Sequence, residues 1–140
     1  MSDRIFELVH SLNKSEKRYF KQYLKRHSSN IDNTIYAQFF DYITKTAIYN
    51  KSLLLKKCKY IKASQFQNIR FRLYNLILES LRGFYSGKSI RITIYQIMIS
   101  ADILVSKGLF LQAVKKLEKA EKLATYYELD GLLEEILKQL

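Results

Sequence analysis

Residues Ser64 to Ser86 constrain the fold more than any other stretch of this chain. Phe66, Ile69, Leu73, Leu76, Ile77, Leu81 and Phe84 recur at steps of three and four, which places them along one side of a helix. Phe71, Tyr74, Leu78 and Tyr85 fall about 100° further round the same helical wheel. Asn68, Arg72, Asn75, Glu79 and Arg82 fill the remaining arc. A helix with two apolar flanks has to be covered twice. The spacing therefore predicts a central helix between neighbours, in an all-α protein.

The rest of the chain reads as helices too. It has no Pro and only four Gly in 140 residues, so little in it breaks a helix. Ser2 to Leu12 predicts a short amphipathic helix with Ile5, Phe6, Leu8, Val9 and Leu12 inward. Asn13 and Glu16 have the spacing of a capping box for a helix from Lys14 to His27. Ser28 to Asn33 reads as a polar loop, with Thr34 capping a helix to about Thr46. A short helix over Ser52 to Lys59 precedes Ser64, read as the cap of the central helix. Gly87 ends that helix, and Ser89 caps the next, Ser89 to Lys107. Gly108 turns the chain into Leu109 to Tyr127, and Leu129 to Leu140 closes it. The expectation is an antiparallel bundle of about seven or eight helices. Residues 1–92 would form a basic head, continuous with a helical hairpin and one further helix over 93–140.

Charge separates these two parts. The formal net charge is +11, but residues 1–92 hold 18 Lys/Arg against 6 Asp/Glu while residues 93–140 hold 6 against 7. Such asymmetry points to a polyanionic partner. Lys14, Lys17, Arg18, Lys21 and Lys25 fall within about 100° on the second helix. Lys56, Lys57, Lys59 and Lys62, with Arg70 and Arg72, form a second cluster. Both are candidate phosphate contacts, and both fit equally a solvated face that keeps the domain in solution. Ser52 to Ser86 also outlines a helix-turn-helix. Its second helix spends its surface on apolar residues, leaving Gln65, Gln67 and Asn68 to read base edges.

Signals for catalysis are absent from the sequence. The single cysteine, Cys58, excludes an internal disulfide and a multi-Cys zinc site, and its apolar neighbours make it a small buried hydrophobe. One unpaired thiol suits a cytoplasmic protein. Asp3, Arg4 and Glu7 interrupt any signal-peptide core. The apolar run Ile92 to Val105 is broken by Gln96 and Asp102, too short and too polar for a membrane span, and reads as a buried helix. Gly83 to Ser89 imitates a phosphate-binding loop, but with three residues between its glycines instead of four, and with a helix where a strand is needed. His10 and His27 have no partner at metal-ligand spacing. No catalytic, cofactor-binding or metal-binding residue is assigned, and a non-enzymatic role is expected.

Ile97, Ala101, Leu104, Gly108, Phe110, Ala113, Leu117 and Ala120 stand at the offsets of a tetratricopeptide (TPR) repeat, with small residues where two helices touch and a Gly-aromatic turn between them. The stretch resembles one TPR unit of about 34 residues. It lacks the repeat's early Trp, and Thr125 stands where the closing Pro belongs. A shift of 34 puts Glu135 and Lys138 at the Ala101 and Leu104 positions, so no second copy follows. Ser11 to Phe20 is similar to the start of a group of uncharacterised bacterial helical-repeat proteins. The resemblance implies a scaffold that holds a protein or peptide partner in a groove between stacked helices. It also implies that the chain is the front of a longer repeat protein. Otherwise the apolar face of the last helix (Leu129, Leu132, Leu133, Ile136, Leu137, Leu140) would pair with a second copy, giving a homodimer, or fold back on the bundle. The rival expectation is nucleic-acid binding through the basic face.

Overall fold

A computed structural model describes residues 3–27, 30–48, 50–58 and 61–140. Among them there are eight α-helices and one 3-10 turn, and no strand. The helices are α1 (Arg4–Ser11), α2 (Lys14–His27), α3 (Asn30–Lys45), α4 (Lys51–Lys57), α5 (Phe66–Tyr85), α6 (Ile90–Ser106), α7 (Phe110–Tyr126) and α8 (Asp130–Gln139). The all-α expectation holds, as does the helix count. The chain divides into two compact units, Met1–Phe84 and Tyr85–Leu140. The division falls at the end of α5, ahead of the 92/93 boundary read from the change in charge.

In the first unit, helix starts are fixed by side chains. Asp3 caps α1, its Oδ1 accepting from the backbone N–H of Ile5 at 3.0 Å and of Phe6 at 3.3 Å. The box at α2 is reciprocal. Asn13 Oδ1 accepts from the Glu16 N–H at 2.8 Å, and Glu16 Oε1 accepts from the Asn13 N–H at 2.9 Å. Asn50 caps α4 by accepting from the Leu53 N–H at 3.2 Å.

Two expected caps are corrected. Thr34 lies inside α3, which begins at Asn30, so the polar stretch before it continues the helix. Ser64 lies inside the 3-10 turn Ala63–Gln65, where Gln65 N–H donates to Lys62 O at 2.9 Å and leads into α5.

α3 approaches α1, α2 and α4, and α5 joins their common core. Phe20 meets Phe40 at 4.7 Å between ring centroids, and Phe39 meets Phe66 at 6.0 Å. Val9, Ile43, Leu54, Cys58, Leu73 and Ile77 are buried in the same core. Cys58 is buried as expected, and burial pushes its thiol pKa up.

The first flank of α5 is covered over most of its length: Phe66, Ile69, Leu73, Leu76 and Ile77 are buried, while Leu81 and Phe84 are half-buried. The second flank is not. Tyr74 and Leu78 are half-buried, and Phe71 is 73% exposed. Periodicity locates an apolar flank but does not supply the element that covers it.

The second unit has its own core of Ile94, Ile97, Met98, Ala101, Ala113, Leu117, Ala120, Ala124, Leu132 and Ile136. α6 packs on α7, and α7 on α8. Gly87, at φ 86°, takes the left-handed conformation after α5. Ser89 then caps α6, its Oγ accepting from the Ile92 N–H at 3.4 Å.

Candidate interaction surface

The geometry of α6 and α7 follows from small residues and one repeated turn. Ala101, Ala113, Ala120 and Ala124 are buried and let the helices approach closely. At the first turn Gly108, φ 77°, donates to Val105 O at 2.9 Å and Leu109 N–H reaches Leu104 O at 2.9 Å. At the second turn Glu128, φ 55°, donates to Thr125 O at 3.2 Å and Leu129 N–H reaches Ala124 O at 2.9 Å. Both are Schellman closures, which satisfy the last carbonyls of one helix and reverse the chain into the next.

Of the repeat-like positions, Ile97, Ala101, Ala113, Leu117 and Ala120 share one buried cluster. Leu104 packs at its margin and Gly108 makes the turn. Phe110 does not join them; it is 62% exposed. It opens α7 at the hairpin's closed end, beyond Ala101, the last buried residue of α6. α6 and α8 begin 40 residues apart, a longer period than the 34 of a TPR.

The reading of α6 as a buried helix is also corrected. Its inner side carries Ile94, Ile97, Met98 and Ala101. On the other side Tyr95, Ile99 and Ile103 follow one another at steps of four and are 41%, 51% and 52% exposed. Between Arg91 and Lys107 the helix carries one charge, Asp102, which is exposed beside this stripe. Sequence reasoning named no contact residue here. The signal was present: an apolar run longer than one core face can use holds residues that step by four on the opposite side. Leu137 and Leu140, at the end of the α8 apolar face, are exposed as well.

The basic residues of the first unit do not form one site. Lys14, Arg18, Lys21 and Lys25 are exposed along α2 and Lys17 is half-buried. Lys21 is engaged by Asp41, Nζ to Oδ1 2.7 Å. Lys56 and Lys62 are exposed; Lys59 and the side chain of Lys57 lie outside the described residues, as does the side chain of His27. His10 packs its ring on Phe6, 4.2 Å between centroids. Among the described residues no three His, Cys, Asp or Glu side chains are grouped to hold a metal ion, and no helix is long and apolar enough to cross a membrane.

Compared with protein-family models, with curated proteins and with solved structures, the chain matches none.

Proposed function

We propose that this chain is a non-enzymatic protein-interaction module of the helical-repeat type, with the outer face of α6 as its docking surface. The observation that carries this reading is the bare stripe Tyr95, Ile99 and Ile103, backed by a helix whose other side is locked into a core. Apolar residues aligned on an exposed helix face lose little conformational entropy when covered, and their rigid backing holds them in register. The fitting occupant is an amphipathic helix or extended peptide of a partner protein, laying its own apolar side along the stripe. α7 braces α6 from behind and carries Lys115, Lys116, Lys119 and Lys122 to water.

The test compares proteins that co-purify with the tagged full-length chain and with the Ile99→Asp/Ile103→Asp variant. The reading expects at least one stoichiometric partner to be lost from the variant while the variant keeps its helical circular dichroism. An unchanged set of partners would reject it.

A further inference from the structure

A second exposed feature lies in the first unit and is independent of the α6 face. Phe71 stands in the second turn of α5 with its ring in water. It borders a cleft of about 260 Å³ between α1 and α5, lined also by Arg4, Gln67, Arg70, Tyr74 and Asn75. Gln67 and Asn75 stand one turn before and one turn after Phe71. Each amide has one half engaged: Arg70 Nη1 donates to Gln67 Oε1 at 3.2 Å, and Asn75 Nδ2 donates to Phe71 O at 3.0 Å. These two bonds leave the Gln67 amide nitrogen as a donor and the Asn75 carbonyl oxygen as an acceptor. Arg4 is an exposed cation on the α1 side of the cleft. The whole unit holds 16 Lys/Arg against 6 Asp/Glu, a net +10.

An exposed ring bracketed by amides, edged by guanidinium groups and set in a strongly cationic unit has the chemistry that takes a nucleobase. The ring offers a stacking face that any base fills. The amides reach base edges, and the cations hold phosphates. A base stacked within a duplex has no free face to offer the ring, so the fitting ligand is unpaired. We infer that the α1–α5 cleft binds single-stranded nucleic acid, with one base stacked on Phe71. This assigns the basic excess a ligand, and it moves the contact from the α2 stripe to α5.

Fluorescence anisotropy of the full-length chain with 12-nucleotide oligo(U) and oligo(dT), at 50 and 200 mM salt, tests it. Both probes should bind at 50 mM and more weakly at 200 mM, and their ratio tells RNA from DNA preference. Phe71→Ala should weaken binding about tenfold at both salts, because stacking is not screened. Phe71→Leu, apolar without an aromatic ring, should lose as much, and Phe71→Trp should retain binding. Phe71 is outside the core, so all three variants should keep wild-type circular dichroism. Absence of binding at 50 mM would overturn the inference. So would binding within twofold of wild type for Phe71→Ala, or equal competition by a blunt duplex.

Discussion

The Tyr23 hydroxyl donates to Glu79 Oε2 at 2.9 Å and so ties α2 to α5 across 56 positions of sequence. Both residues sit at the edge of the first core, half-buried, where α2 turns from its apolar to its basic side. The bond adds a directional constraint that ring packing alone lacks. Removing it with Tyr23→Phe should cost about 1 kcal/mol at pH 7, as for a hydrogen bond to a partly solvated carboxylate. Burial first, and then the bond to Glu79, hold the Tyr23 pKa above its ordinary 10.0. The folded chain thus keeps a proton that the unfolded chain releases near pH 10. The stabilisation is complete below that pH and is lost as pH rises through the raised folded value. Urea unfolding of wild type and variant from pH 7 to 11 should show the gap narrowing only above about pH 10.

The reciprocal box at Asn13 and Glu16 sets where α2 starts. Asn13→Ala should destabilise the first unit by about 1 kcal/mol, and Glu16→Ala by a similar amount. Because each side chain serves the other's backbone N–H, the double variant should cost less than the two losses added. Thermal unfolding of the four chains of the cycle measures this directly.

Asp3 has two tasks. One carboxylate oxygen caps α1, and the other forms an ion pair with the Arg70 guanidinium. Arg70 is half-buried and the Asp3 carboxylate more deeply so, which raises the cost of removing either charge. Asp3→Asn keeps a capping oxygen but removes the charge, whereas Asp3→Ala removes both. The alanine variant should lose about 2 kcal/mol and the asparagine variant roughly half of that, read from denaturant midpoints.

The two Schellman turns differ in the residue at the left-handed position. Gly108 is at ease there, while Glu128 is held at φ 55° against its own Cβ. Glu128→Gly should stabilise the second unit by about 0.5–1 kcal/mol, and Gly108→Ala should destabilise it by about 1 kcal/mol. Opposite shifts in melting temperature are the expected result.

Much of this architecture is legible in the residues themselves. The α2 start follows from the Asn13–Glu16 box, and the α6 start follows from Ser89, because in both places local hydrogen bonds decide the boundary. Asn30 to Asn33 read as loop because Asn and Asp favour turns, yet the backbone there is helical; intrinsic propensity is a weak constraint once a helix can continue into packed turns. Phe71, Tyr95, Ile99 and Ile103 carry the main lesson. Spacing places Phe71 on a second apolar flank of α5, whereas in α6 the apolar run Ile92 to Val105, read as a buried helix, hides the separate stripe of Tyr95, Ile99 and Ile103. Whether another element covers a flank depends on contacts distant in sequence, which periodicity does not encode. The surface read as basic and the surface proposed for recognition differ for the same reason: charge is visible residue by residue, whereas exposure of an apolar stripe emerges only after folding.

The docking role of α6 is tested most directly by placing the photoreactive residue benzoylphenylalanine at position 99 of the full-length chain in its own cells and irradiating. The account predicts one discrete adduct with a different protein, reproduced from position 103 and absent from position 119 on the lysine-bearing side of α7. Adducts of equal yield from all three positions, or none from 99 and 103, would contradict it.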